Sequence, residues 1–587
     1  MIDSLEKLNI SKLFYPFLDN LSKAAEIEDR IPFIGREREI EAVMETLLRK
    51  LKNNLLLIGN PGVGKTALIT EVASRIKKEK TPPILRNKII LELSMNTFIY
   101  SRDSIESLIK DFEMLFSEIK QNRDKIILFL DEMQMQSIVA FNKKNQYNQI
   151  QNLLKSYVTS RELNIIAATT PENYYKFIKG DEALSLKFSP ILLNEPNEKE
   201  MLKILYGVKP YFEKYYSLKI EEVLFEKIYS LSKSFIPHRA FPHKAIDLLD
   251  ISCSKASLKK EIELNPDYLY QSVSSISKLP YEIVKRDPQE HCKGILDFLK
   301  KNVVNQRNAL EETARIIKLS RLSRLEDNVI NTKPEGIFLF LGPTGVGKSY
   351  VSSKIAAYLF GMDSKLRVID LIDYKNPDDI KKLIVDDKSN PGVLIQEVEN
   401  HPFSVILFEN IENVHSSILY FLGKVLNKGE IIDAFGKKHY LSNIIFILSL
   451  TSIGETRKES HIGFVKGNRI SNEVIVPLKI MNMLDWVDEI IEFSPLTKDH
   501  LRLIATQRID ELKYEMSKKY NIVLHINKDV GEVISHKALQ SGNYAHSVVD
   551  IIGKEIKTKI LDFVDKDNKG IKLKVGIKSN KIKIKII

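Results

Sequence analysis

The sequence predicts an α/β protein with two tandem phosphate-binding domains, each a parallel sheet between helices and each followed by a smaller helical part. Three stretches carry that expectation. Residues 55–66 read L-L-L-I-G-N-P-G-V-G-K-T, and residues 338–349 read F-L-F-L-G-P-T-G-V-G-K-S. Each is an apolar run of strand length that breaks into glycines and ends in Lys-Thr or Lys-Ser. This is the P-loop pattern G-x-x-x-x-G-K-S/T in its required setting, after a strand and before a helix. The third stretch is I-I-L-F-L-D-E at 126–132, a buried strand running out into two carboxylates.

The chemistry of these residue types points to ATP with Mg²⁺. Glycines let the backbone N–H groups of Gly59, Asn60, Pro61 (which lacks the donor), Gly62, Val63 and Gly64 curl around an anion. Gly342, Pro343, Thr344, Gly345, Val346 and Gly347 do the same in the second copy, and in both the following helix N-terminus adds partial positive charge. Lys65 and Lys348 are expected to neutralise β/γ-phosphates, and Thr66 and Ser349 to hold the metal ion. Asp131 would reach Mg²⁺ through water, and Glu132 would orient and deprotonate the attacking water.

A chain of 587 residues exceeds the size of one hydrophobic core and should hold several domains. With 43% hydrophobic and 28% charged residues, its composition is that of a globular protein in water. No apolar run approaches the ~20 residues of a membrane span, and the first twenty residues mix charges throughout. Cys253 and Cys292 are too few for a disulfide framework or metal cluster, which fits a reducing cytoplasmic setting. The net charge of +11 is spread along a lysine-rich chain. With no evident cluster of basic and aromatic residues, neither nucleic acid nor membrane is expected as a partner.

In order, residues 1–30 form a short leader whose apolar spacing (Leu5, Leu8, Leu13, Phe17, Leu21) predicts a helix. The first large domain is expected over 31–192. Ile34-Gly35-Arg36-Glu37 opens a helix there, Thr66 to about Lys78 forms the P-loop helix, and Ile89–Leu93 is the next strand. The run N-I-I-A-A-T-T at 164–170 should be a core strand ending in hydroxyls, where Thr170 either contacts the γ-phosphate or water or simply ends the strand. Helical, charge-rich sequence marks a small subdomain over 193–289. A second large domain spans 290–495, and a small subdomain of 496–587 ends in an alternating K-I-K-I-K-I-I tail that reads as an edge strand with outward lysines.

The order of these motifs resembles the Clp family of two-ring AAA+ unfoldases, ClpA-type members above all. The similarity runs through A-T-T-P-E-N-Y-Y-K-F-I-K-G-D-E-A-L at 168–184, L-Y-G-V-K-P-Y-F-E at 205–213 and P-H-K-A-I-D-L-L-D at 242–250, and covers nearly everything after residue 31. The resemblance implies a homo- or hetero-hexamer, polypeptide substrates and a ClpP-type peptidase partner, with two AAA+ modules in place of the two domains above. The family's N-terminal repeat domain and long coiled-coil middle domain have no counterpart here, the latter speaking against a ClpB-type disaggregase.

Against the family pattern, the two sites are unequal. The first keeps Lys65, Thr66, Asp131, Glu132 and Thr170 but has Leu186-Lys187 where a neighbour-facing arginine pair is expected. The second has Glu409-Asn410 for the acid pair, with Ser452, Trp486 and His546 at the sensor, trans-arginine and second-sensor positions. Asparagine cannot accept a proton, so the second module should bind nucleotide without turning it over. The family's pore-loop motifs are absent. Phe98, Ile99 and Tyr100 offer a substitute grip in the first module, or ordinary packing. Finally, Ile462-Gly463-Phe464, within T-R-K-E-S-H-I-G-F-V-K-G at 456–467, resembles the tripeptide with which ClpA-type proteins dock on ClpP.

Overall fold

The structure, a computed structural model, describes residues 8, 10–24, 30–101, 105–131, 155–157, 163–237, 239–286, 293–326, 333–385, 391–432, 438–451, 462–464, 475–477, 484–527, 529–561, 572–578 and 581–586. Two compact units, Met1–Ile276 and Ser277–Ile587, divide the chain. Each is built on one sheet.

In the first unit the strands are β1 (Leu18–Asn20), β2 (Asn54–Ile58), β3 (Ile89–Leu93), β4 (Ile126–Leu130), β5 (Ile165–Thr169) and β6 (Phe188–Leu192). Their spatial order is β1-β3-β4-β5-β2-β6. All pairs from β3 to β6 are parallel. β2, β4 and β5 are buried along their whole length, as continuous apolar strands covered on both faces must be. Helix Glu37–Leu48 precedes β2, and helix Lys65–Lys77 follows it.

The leader does not form the single expected helix. Residues 12–17 make a 3-10 turn, and β1 then adds antiparallel to β3, with Leu18 opposite Leu93. The apolar spacing was satisfied another way. Phe14 and Phe17 pack on Phe98, with ring centroids 6.2 and 5.2 Å away, so a strand entering the sheet buries them as fully as a helix would.

The second unit repeats the plan with β7 (Gly336–Gly342), β8 (Leu366–Asp370), β9 (Ser404–Glu409) and, after the small hairpin β10 (Glu430–Ile432) and β11 (Lys438–Tyr440), β12 (Ile444–Thr451). After the antiparallel pair β13 (Ile462–Phe464) and β14 (Ile475–Pro477) comes β15 (Glu489–Glu492), and the sheet order is β15-β7-β12-β9-β8. In both sheets the P-loop strand (β2 or β7) lies beside the strand that ends in threonine (β5 or β12). Ligands of open parallel sheets bind at the carboxyl ends of such strands.

Each unit also carries a helical lid. Helix Glu198–Tyr216 opens the first and helix Lys498–Tyr520 the second, both through a capping box (Asn197 with Glu200, Thr497 with His500). The last sheet is β16 (Val523–Ile526), β17 (Lys572–Lys578) and β18 (Lys581–Ile586), with β18 an edge strand antiparallel to β17. Leu573, Val575 and Ile582 are buried, while Lys572, Lys574, Lys583 and Lys585 are exposed. Lys574 faces Lys585 directly across the pair. The tail is thus the edge strand with outward lysines that its alternation predicts, every second residue falling on one face. Among the described residues no helix is long and apolar enough to cross a membrane.

Candidate functional site

In the first unit Gly62 and Gly64 stand at φ +88° and +95°, a conformation that side chains other than glycine's rarely adopt. The strained turn delivers Lys65 to the first position of its helix. Lys65 Nζ donates to its own loop, to the carbonyls of Gly59 (2.9 Å) and Asn60 (3.2 Å). Thr66 Oγ1 donates to Asp131 Oδ2, so the metal-holding hydroxyl and acid already share one spot. Glu132 lies outside the described residues.

Thr170 caps the short helix Pro171–Asn173, its Oγ1 accepting from Asn173 N at 3.3 Å. Its neighbour Thr169, unnoticed in the sequence, is 1% exposed, and its Oγ1 has no hydrogen-bond partner among the described residues. Glu92, at the end of β3, was also missed. Burial, then nearby Asp131 and then Asp19, pushes its carboxyl up to about 7. Asp19 is its register partner on β1. The Leu186-Lys187 pair precedes β6, with Leu186 exposed.

Of the proposed grip, Phe98 is 0% and Ile99 2% exposed. Phe98 meets Phe112 edge to face at 4.9 Å. These two residues hold the core together and cannot grip a substrate; the Tyr100 side chain is outside the described set. The alternative of ordinary packing is what Phe98 and Ile99 do.

The second site keeps the cradle. Gly345 and Gly347 take φ +76° and +105°, and helix Lys348–Phe360 follows. Lys348 Nζ donates to the carbonyls of Gly342 (2.6 Å) and Pro343 (2.9 Å). Burial lowers its pKa to about 8, against the pull of Glu412 and Glu409. A buried cation with its charge partly desolvated is suited to meet a phosphate. Ser349 Oγ donates to Glu409 Oε1 at 2.5 Å, matching the Thr66–Asp131 pair one methylene further out.

Asn410 stands at φ +61° and donates through Nδ2 to Asp370 Oδ1, 2.7 Å away on the end of β8. Sequence gave no sign of this partner, 40 residues upstream. Trp486 packs on its own unit: a Cβ built at Gly423 would come within 1.5 Å of its ring, and Tyr420 meets it at 6.0 Å. Ser452 is outside the described residues. The backbone of Ile462–Phe464 forms β13, Gly463 opposite Val476 of β14; their side chains are not described.

A pocket of about 430 Å³ surrounds the second P-loop. Val303, Val304, Glu409, Asn410 and Thr451 line it, and the lid contributes Ile504, Arg508 and His546. Glycine cradle, P-loop lysine and hydroxyl–carboxylate pair fit a Mg²⁺–nucleotide at both sites, with Thr66 and Asp131, or Ser349 and Glu409, as the groups that would hold the metal.

Two further features recur in both units. Arg36 (φ +60°) donates to the Val63 and Asn194 carbonyls at 3.2 and 2.7 Å. Gln306 (φ +63°) donates to those of Val346 and Ser494 at 3.3 and 2.7 Å. Each ties the P-loop to the segment after the last strand of its sheet. The lid also touches each P-loop through a backbone hydrogen bond: His243 N donates to Gly62 O at 3.3 Å, and Ala545 N to Gly345 O at 3.0 Å.

Comparison with known proteins agrees with this duplication. Residues 55–180 match the family model of ATPases associated with various cellular activities, 197–295 an AAA lid domain, and 333–476 an AAA domain of the Cdc48 subfamily. The ATP-binding subunit ClpC of the ATP-dependent Clp protease from Staphylococcus epidermidis is 26% identical, over 92% of this chain and 74% of its own length. ClpL from Staphylococcus aureus is 26% identical, over 91% of this chain and 83% of its own. An ADP complex of Saccharomyces cerevisiae Hsp104 shares the fold with a TM-score of 0.74 at 24% identity, covering 96% of this chain and 98% of that one.

Proposed function

Because the chain is a two-module AAA+ protein of the Clp family, a family of chaperone-unfoldases, we propose that it is a ClpA-like, ATP-dependent unfoldase subunit whose hydrolysis is confined to the first module. In this reading it works in the cytoplasm as a homo- or hetero-hexamer that hands polypeptides to a ClpP-type peptidase. Residues 31–192 and 290–495 are the large subdomains, and 193–289 and 496–587 the small ones. What supports the reading is the asymmetry of the two sites. Thr66 and Asp131 are paired beside a sequence that continues with Glu132, whereas the second site offers Glu409 followed by an Asn410 whose amide is taken up by Asp370.

Bound ATP–Mg²⁺ supplies the phosphoryl group and the charge that neutralises it. Lys65 would pair with phosphate oxygens, Thr66 and Asp131 would hold the metal, and Glu132 would take the proton of the attacking water. In the second module Lys348, Ser349 and Glu409 hold nucleotide, and no group accepts that proton. Ile462, Gly463 and Phe464 dock on the peptidase, an apolar anchor for a pocket.

A second reading has two observations in its favour. With Phe98 and Ile99 in the core and Lys187 in place of an arginine, the chain would be a nucleotide-binding scaffold or regulatory subunit that co-assembles with an active Clp ATPase. ATP turnover separates the two. The unfoldase reading expects hydrolysis that Glu132→Gln abolishes and Lys348→Ala spares; a chain that binds ATP without turnover supports the scaffold. Deleting Ile462–Phe464 should abolish co-migration with ClpP while leaving the hexamer intact.

A further inference from the structure

The two lids differ at one place that the chain itself allows to be compared. Superposing the P-loops in sequence, Lys65 on Lys348, sets Ala67 opposite Tyr350. Matching the capped starts of the lid helices, Glu198 on Lys498, sets Val208 opposite Arg508. Val208 is buried, as a valine inside a helical lid should be. Arg508 instead stands with its guanidinium carbon 4.5 Å from the centre of the Tyr350 ring, and Arg508 Nη1 pairs with Glu511 at 2.6 Å. Both members of the stack belong to the second unit only.

We propose that Arg508, braced on Tyr350, is the lid's cation for a nucleoside di- or triphosphate in the second module. This rests on the reading that the second module holds nucleotide. Tyr350 directly follows Ser349 on the P-loop helix, and both it and Arg508 line the same pocket as Lys348. The lid residue His546 lines that pocket too, at the position where the family resemblance implies an arginine. A positive lid group has therefore moved to the other lid helix. Stacking on a ring restrains the long arginine side chain while its N–H edge, partly taken up by Glu511, keeps the planar fork that binds oxygens bidentately. Glu511 partly neutralises it at rest, and a phosphate group competes for the same donors.

This arrangement differs from a hydrolytic lid in what it reads. Arg508 and Lys348 approach a polyphosphate from the lid and the sheet, and Asn410, tied to Asp370, is not available to a terminal phosphate. The site should accept ADP and ATP nearly alike and, on binding either, fasten the lid to the P-loop domain.

The test uses the full chain carrying Lys65→Ala, so that the first site is silent, titrated with fluorescent ADP and ATP analogues. Arg508→Gln is expected to weaken both at least ten-fold, Arg508→Lys less, and Tyr350→Ala more than Tyr350→Phe. To exclude a merely structural effect, the melting midpoint without nucleotide should be the same in Arg508→Gln as in its parent, while the upward shift on adding ADP is lost. Affinity of Arg508→Gln within two-fold of the parent overturns the assignment. A parent that binds no nucleotide overturns the underlying reading of the second module instead.

Discussion

Replacing Asn410 by glutamate restores the acid pair in sequence but should not restore hydrolysis, and the structure gives the reason. Three costs arise at one residue. The Asn410–Asp370 hydrogen bond of 2.7 Å is lost, worth about 1 kcal/mol net. The new carboxylate faces that of Asp370 at roughly 4 Å in a largely solvated spot, where repulsion is about 1 kcal/mol. The backbone at φ +61° suits asparagine and costs glutamate about 1 kcal/mol more. The sum is a destabilisation of about 3 kcal/mol. Urea unfolding of Asn410→Glu, followed by tryptophan emission, should show it, and adding Asp370→Asn should recover about a third to a half. ATP turnover in a Lys65→Ala background should stay at background in the single variant. Full stability together with turnover in that variant would refute the account of the site as locked by Asp370.

Three other outcomes follow from the packing and charge. Gly423→Ala places a Cβ 1.5 Å from Trp486, which must move; about 1–3 kcal/mol of stability should be lost, with a red shift in emission from this sole tryptophan. Phe98→Ala should cost about 3–5 kcal/mol as a core truncation, read by denaturation, rather than sparing the fold and impairing only substrate handling. Glu92, raised from an ordinary 4.5 to about 7, binds a proton more tightly folded than unfolded. Its contribution is therefore fully present below about 4.5 and is lost as pH rises through 7. Glu92→Gln should thus melt higher than the parent at pH 8, with the gap closing towards pH 4.5; a gap constant with pH counts against it.

The motifs were legible because P-loops and buried strands are local: G-N-P-G-V-G-K-T must turn, bind anion and start a helix whatever surrounds it. Residues whose role depends on a distant partner were not legible. Phe98 reads equally as grip or core until Phe14, Phe17 and Phe112 are known to converge on it. Asn410 reads as a simple loss until Asp370 appears beside it. The leader spacing fits a helix, but helix and strand can bury the same phenylalanines, and only the open edge of β3 decides between them. The alternation of the tail announced an edge strand with outward lysines, whereas its partner strand, and so the pairing of Lys574 with Lys585, shows only in the register.

Among the contacts between each lid and its P-loop is one main-chain hydrogen bond, His243 N to Gly62 O and Ala545 N to Gly345 O. Apart from proline at the donor, which removes the N–H, no substitution of a side chain deletes such a link outright. At Gly345 a Cβ would come within 2.1 Å of the Asn543 carbonyl oxygen, so even adding a side chain is resisted. Wear on the reactive groups and wear on the linkage are thus independent in this protein. A module that exchanged its reactive side chains one at a time would keep this link between its phosphate loop and its lid.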